Sequence, residues 1–316
     1  MKNKITVVIG IIVLSLIIIN MSASHSKLSK TVDSKNSIEM KTIYFAEPGI
    51  VTKSINNLGK IDKVNLAYDE TSDNNLRYIG KDPNNYVLFN NELWRIIGVM
   101  NNIDDGTGNK ESRIRITKNG YAYDTVQSFN SNGSINDYSI STLKALLNEE
   151  YINKLYEQSK NIMDNVIWNI GGADANLNST ALQFYNYEHG NLVYSGHNSS
   201  WKGRIGLIYA SDYGFATSAE NSSRRTFCLS QKLNDWNNSL TKDCRYNNYL
   251  FDDKTWQWTI TPSYDNYLRK FVIHPSGDIY YTDSGCNSVR PSLYLKPSTK
   301  ITGGYGTKSK PYTIGL

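Results

Sequence analysis

Little in this chain ordinarily carries catalysis or metal chemistry. It has only four histidines and three cysteines in 316 residues. His25 lies in a polar stretch near the N-terminus, and His274 stands alone. His189 and His197 are eight positions apart in a Gly/Asn-rich segment, a spacing that fits no zinc site even with Glu188 or Asp174 added. No Gly-x-Ser-x-Gly elbow, phosphate loop or dinucleotide fingerprint occurs. Asp104-Asp105-Gly106-Thr107-Gly108-Asn109 lacks the alternating carboxylates and distal Glu of a calcium loop, so it reads as a hairpin turn. Paired carboxylates for glycoside hydrolysis are distant in sequence and cannot be picked from 29 acidic residues by spacing. The sequence therefore assigns no catalytic residue, no cofactor site and no metal ligand.

Basic charge is scarce where nucleic acid would need it. The net charge is +5, but residues 1–42 hold six Lys against Asp33 and Glu39, and residues 296–316 hold four Lys and no acid. The intervening body is slightly acidic, which excludes a nucleic-acid groove on the fold itself. The basic ends suit contact with anionic lipid or an anionic wall polymer, or are solvated tails.

Charge is missing altogether from one long stretch. Lys2 and Lys4 precede Ile5–Ile19, and no charged residue follows until Lys27. A buried helix of a globular domain would show a polar face, and this run has none. Residues 1–24 are thus expected to be a signal peptide or a membrane anchor, with residues 5–23 meeting the bilayer. Ser22-Ala23-Ser24 offers a cleavage site, while the length approaches a full span. The reading favours a retained anchor on the cell membrane with the C-terminal body outside; a cleaved signal would make the protein secreted.

What the chain does have is a globular balance, 39% hydrophobic and 20% charged, with 23 Tyr and 6 Trp. Such rings build sheet cores and also amphipathic contact surfaces. Residues 25–42 are polar and Lys/Ser-rich and are expected to be a flexible stalk. Residues 43–316 are expected to form one extracytoplasmic α+β domain, mainly antiparallel sheet with a few helices. Tyr86–Phe89 and Leu93–Val99 read as strands joined by an Asn90-Asn91 turn, and Arg113–Thr117 as the next strand. Ser141 can cap a helix in which Leu143, Leu146, Leu147, Ile152 and Leu155 recur at helical spacing. Residues 159–200 and 219–255 read as irregular and polar. Trp256–Thr261, Phe271–His274, Asp278–Tyr281 and Val289–Leu295 close the chain as strands.

Four stretches in order carry a resemblance. They are Leu93-Trp94-Arg95-Ile96-Ile97, the helix from Ser141 to Tyr156, Gly206–Phe215 (GLIYASDYGF), and Trp258-Thr259-Ile260-Thr261-Pro262 followed by His274–Asp278 and Val289-Arg290-Pro291-Ser292-Leu293. With the tail from Ile301 to Ile314, they resemble an uncharacterised family of Gram-positive bacterial surface domains. That family is similar, more distantly, to the C-type-lectin-like fold shared with formylglycine-generating enzymes and fibre-tip adhesins. The resemblance implies a C-type-lectin-like fold and a surface location, and fold likeness carries no function. The copper-binding cysteine pair of the enzymes and the calcium-and-sugar triplets of true lectins have no counterpart in this sequence.

Within that frame a few residues stand out. Cys228 and Cys244 bracket a polar segment of an exported chain and are expected to form a disulfide, leaving Cys286 a free thiol. Trp258 and Ile260 alternate with Thr259 and Thr261, which places Trp258 on a buried face, while Pro262 should end the strand. Arg290, between Val289 and Pro291, is either a structural bridge to an acceptor or ligand-facing. The function expected is non-catalytic: a binding or adhesion module whose partner is a surface glycan or protein. The alternatives are a structural surface protein or a glycan-active enzyme.

Overall fold

The computed structural model describes residues 26–32, 38–131, 135–176 and 178–316. The apolar run 5–23 lies outside the described residues, and among those described no helix is long and apolar enough to cross a membrane. Within and just beyond the stretch expected as a stalk, strands β1 (Ser26–Val32) and β2 (Ile38–Tyr44) pair as an antiparallel hairpin, in register from Ser26↔Tyr44 to Val32↔Ile38.

The body is α+β and mainly antiparallel. Its largest sheet begins at β3 (Gly49–Ile50) and includes β4 (Leu66–Tyr68), β5 (Leu76–Tyr78), β6 (Tyr86–Phe89), β7 (Glu92–Asp104) and β8 (Lys110–Lys118). Strands from the far end of the chain complete it: β12 (Ile205–Leu207), β17 (Pro291–Tyr294), β18 (Lys300–Gly303) and β19 (Tyr312–Gly315). The order is β12-β17-β8-β7-β6-β19-β18-β3, with β4 and β5 joined at β7. Strands near both ends of the chain thus share one sheet, as the spread of the sequence motifs implies. The β6–β19 pair is parallel and the other ladders of this sheet are antiparallel.

Local chemistry sets the connections. Asn90 and Asn91 both take positive φ, 56° and 57°, the left-handed pair that a two-residue hairpin needs and that Asn tolerates. Gly98 lies where β5 crosses onto β7; a Cβ there would stand 2.2 Å from the Leu76 carbonyl oxygen, so only glycine admits this pairing.

The helices are short. They are α1 (Val51–Ile61), α2 (Thr142–Ala145), α3 (Glu157–Ile162), α4 (Ala181–Glu188), α5 (Ala210–Phe215), α6 (Ser222–Ser230) and α7 (Lys242–Tyr246). Helix α1 buries Val51, Ile55 and Leu58, one face at helical spacing. Ser141 caps α2 by accepting from the Lys144 amide, as expected, but the helix does not run on to Tyr156. It widens to a π turn over Leu146–Tyr151 and tightens to a 3-10 turn over Ile152–Lys154. The Asn148 amide sits at that widening and bonds both the N–H and the carbonyl of Ile205, 3.0 and 2.8 Å away. The segments expected to be irregular contain α3, α4, α6 and α7, together with β10 (Val166–Asn169) and β11 (Ser200–Gly203), which pair with each other. Helix α4 carries a full capping box, Thr180 with Gln183.

The closing strands β13 (Gln257–Pro262), β14 (Lys270–Ile273) and β15 (Ile279–Thr282) form a three-stranded sheet, and β9 (Gln127–Ser128) pairs with β16 (Cys286–Asn287) beside it. Ile260 joins this sheet to the main one by donating to the Ile208 carbonyl at 2.9 Å. Strand β13 ends at Pro262, but its alternation does not separate a core face from a solvent face, because Thr259 and Thr261 are buried as well. Their hydroxyls are satisfied inside, by the Phe271 carbonyl and the Glu188 carboxyl. Trp258 is fully buried, packs edge-on against Phe129 at 5.3 Å, and donates its indole N–H to the Gln127 carbonyl at 2.8 Å. Trp258→Ala should cost about 3–5 kcal/mol in chemical denaturation; a loss under about 1 kcal/mol, the scale of a surface change, would mean that this indole does not anchor the core.

Candidate functional site

Of the residues singled out from sequence, the structure joins one pair covalently. Cys228 on α6 and Cys244 on α7 are bonded, with Cα atoms 5.6 Å apart. Cys286 is an exposed thiol on β16. Trp258 belongs to the core. Arg290 is 95% buried, its guanidinium 5.4 Å from the centre of the Tyr121 ring, while the Tyr121 hydroxyl donates to Asp252 at 2.7 Å. Its Nε has no hydrogen-bond partner. Among the described residues the one group with metal-ligating atoms close together is Cys228, Cys244 and Asp243. Its two sulfurs are a disulfide without thiolate character, and Asp243 is paired with Arg224 at 2.7 Å.

The densest charge is internal. Asp212, in the first turn of α5, accepts from Arg77 of β5 at 2.6 Å, contacts Arg115 of β8 through its other oxygen, and takes the Tyr209 amide at 2.8 Å. Arg77 also donates to Asp69 at 2.6 Å, and all four side chains are at least 97% buried. Desolvation would raise the Asp69 carboxyl; the Arg77 charge and bonds from Asn75 and Thr71 outweigh it and hold it below the usual range. Beside this cluster Glu188 accepts from Ser211 and Thr261, and burial raises its carboxyl. His189 stacks on Tyr185 with ring centres 3.9 Å apart, and burial lowers its imidazole to about 4. The cavity they surround is about 10 Å³, room for about one water molecule. Its chemistry is structural support, closed to larger ligands.

Half-buried and exposed rings gather on two adjoining loops. Tyr187 ends α4, Tyr194 and His197 follow in the 190–199 loop, and Tyr264 and Tyr267 lie in the 263–269 loop. Tyr187 lies 6.2 Å from Tyr264; Tyr194 lies 5.4 Å from Tyr267 and 5.4 Å from His197. Tyr267 is 43% exposed. One buried side chain fixes the second loop: the Asn136 amide donates to the carbonyls of Ser263, Asn266 and Arg269 at 2.8–2.9 Å. Tyr264 is anchored through its amide to the Ala173 carbonyl at 3.1 Å. Tyr264 and Tyr267 therefore project from a backbone held by these hydrogen bonds. Such rings offer flat apolar faces with polar tips, suited to a sugar face or a peptide. The richness in Tyr signals such a surface; which of the 23 rings form it depends on pairing between loops some 70 residues apart.

Several open concavities lie elsewhere among the described residues. One, of about 730 Å³, runs between the Asn90-Asn91 turn, the start of α3 and the end of β19, with Leu88 and Tyr156 exposed on its walls. Another, of about 420 Å³, is lined by Lys144, Lys160, Lys202, Arg204, Trp201 and several Asn amides.

No family model, curated protein or solved structure matches the chain.

Two predictions concern the buried cluster. Asp212→Ala leaves Arg115 without a carboxylate partner among the described residues and Arg77 with Asp69 alone, and should cost about 3–5 kcal/mol, whereas Asp82→Ala, removing the exposed partner of Arg95, should cost under about 1 kcal/mol. Equal losses in urea titrations would show that Asp212 does not balance the arginines. The second concerns pH. An imidazole lowered from 6.5 to about 4 by burial is protonated more readily in the unfolded chain, so stability should fall as pH drops from about 6.5 towards 4. Glu188, raised, acts in the opposite sense, its contribution being lost as pH rises from 4.5 through its higher folded value. The wild type should therefore be compared with His189→Gln, which keeps Glu188: the difference in stability between the two should change across this window, and a pH-independent difference would assign the acid sensitivity elsewhere.

Proposed function

We propose that this protein is an exported, membrane-associated binding module that holds a saccharide against Tyr187, Tyr194, Tyr264 and Tyr267. The observation that carries the reading is the gathering of these rings on two adjoining loops, the second of which is pinned from beneath by Asn136. Two-torsion aromatic side chains on a fixed backbone lose little freedom on binding and present large contact area. Export is supported by the uncharged run 5–23 and by the Cys228–Cys244 bond, which persists in an oxidising compartment. Kinship with the Gram-positive surface family, and a C-type-lectin-like arrangement in which loops stand on a sheet closed by both ends of the chain, belong to the same proposal. They are supported by the order of the sequence motifs and by the sharing of one sheet by β3, β7, β17 and β18.

The full-length chain, purified in mild detergent, should bind selected members of a glycan array. Tyr194→Ala combined with Tyr267→Ala should weaken that binding by about 2 kcal/mol without lowering the melting temperature, because neither ring is fully buried. No binding to any glycan, capture of a protein ligand instead, or binding untouched by the double substitution would each overturn the saccharide reading. Cell fractionation should recover the chain with the membrane; recovery in the cytosol would remove the exported part.

A further inference from the structure

A different surface carries a different chemistry. The concavity of about 420 Å³ collects four cations, Lys144 from α2, Lys160 from α3, and Lys202 and Arg204 from β11 and the residue that follows it. No carboxylate lines it. Lys144 and Lys160 have partners outside, Glu149 at 3.7 Å and Glu157 at 2.8 Å, and both acids are more than two-thirds exposed. Such pairs are worth little and release their lysines readily. Lys202 and Arg204 are exposed and make no ion pair with any described residue. Between 43 and 295 acids outnumber bases, so a wall of four cations without an acid runs against the composition of the body. Mutual repulsion in a concave site costs stability, and an anion within it would relieve that cost.

The rest of the wall is polar and aromatic. Trp201 is half-buried, braced edge-on by Tyr138 at 5.3 Å and seated over Gly203, where any Cβ would collide with its ring. Asn165 is exposed, and Asn153 uses its amide N–H on the Glu149 carbonyl, which leaves its side-chain oxygen to accept. The frame is fixed, since Asn148 on the same wall is bonded twice to the Ile205 backbone. Cations beside an indole and amide groups match a sugar that bears a negative group. The cations take the charge, the amides take hydroxyls, and the indole takes an apolar sugar face.

We propose that this concavity binds an acidic saccharide, with its phosphate, sulfate or carboxylate held by Lys202 and Arg204 and flanked by Lys144 and Lys160. The proposal does not depend on what the tyrosine surface binds. Its test uses the full-length chain in mild detergent, titrated with phosphomannan and oligogalacturonate, with dephosphorylated mannan and methyl-esterified oligogalacturonate as uncharged controls. At least one charged ligand should bind, its control should bind about ten-fold more weakly or not at all, and affinity should fall with rising salt. Lys202→Gln combined with Arg204→Gln should lower affinity about ten-fold or more, with an unchanged melting temperature because both side chains are exposed. Tyr194→Ala combined with Tyr267→Ala should leave this binding intact, which separates the site from the tyrosine surface. Three results would overturn the proposal: no binding to either charged ligand, equal binding of charged and uncharged forms, or equal affinity in wild type and the Lys202/Arg204 variant. Inorganic phosphate binding as tightly as phosphomannan would reduce the site to an anion hole and remove the saccharide. Binding to phosphatidylglycerol vesicles alone, lost in the Lys202/Arg204 variant, would assign the surface to a membrane instead.

Discussion

The carboxylate of Asp212 is held between two arginines that reach it from separate strands, and much of the fold is arranged around that meeting. Arg77 comes from β5 and Arg115 from β8, which both flank β7 in the main sheet, and Asp212 comes from the helix that packs on them. Arg77 stacks over Phe215 at 5.0 Å and Arg115 over Tyr209 at 4.9 Å, so the apolar faces of both guanidiniums are covered by the same helix or its cap. An apolar cluster of equal volume could match such an arrangement in stability. Its physical effect is on alternatives. A one-residue slip of β5 or β8 would turn its arginine to the opposite face and leave Asp212 short of a partner in a dry interior. Register of two strands and the seating of α5 are thereby tied to one carboxylate.

The strands of the fold are legible in the sequence because their signals are local. Asn90-Asn91 predicts its turn from the backbone preference of Asn, and the strand on either side follows from β-branched and aromatic residues. Ser141 predicts a helix start for the same reason. The continuation to Tyr156 is not a local matter. Asn148 bonds to Ile205, 57 residues away, and the helix is wound differently around that contact. The missed helices in 159–200 and 219–255 are six to nine residues or fewer, too short for a hydrophobic period to register. Thr180 and Gln183 did announce one of them, since a capping box is a signal independent of periodicity.

The candidate site was less legible than the fold, and the reason is separation along the chain. Arg77 and Asp212 are 135 residues apart, and Asn136 lies 127 from the carbonyl of Ser263 that it helps to hold. No spacing rule connects such residues. Trp258 and Arg290 were visible because each is unusual among its sequence neighbours, and each turns out to be packed inside, Arg290 just before β17 begins at Pro291. The surface rings, by contrast, are individually ordinary tyrosines that matter only as neighbours.

The disulfide adds a covalent link to a polar segment whose apolar anchors, Leu233, Trp236 and Leu250, are few and fully buried. Helix α6 fully buries Cys228 alone, with Phe227 and Leu229 half-buried against the core, and α7 buries only Asp243 and Cys244, so the two helices bury little apolar area themselves. The bond closes a 16-residue separation and, by loss of loop entropy in the unfolded chain, is worth about 3 kcal/mol. Arg224 reinforces it by bonding Asp243 with two nitrogens, at 2.9 and 2.7 Å, and that pair lowers the Asp243 carboxyl through direct hydrogen bonding. The pair is partly exposed and cannot replace the covalent link. From the same polar segment Asn248 reaches inward and donates to the Tyr213 carbonyl at 2.6 Å, at the buried helix that carries Asp212. A segment held by a disulfide at one end and by α5 at the other leaves its polar residues free to face solvent. That is how a chain rich in Asn, Lys and Tyr can keep a buried, charge-paired centre beneath a polar surface.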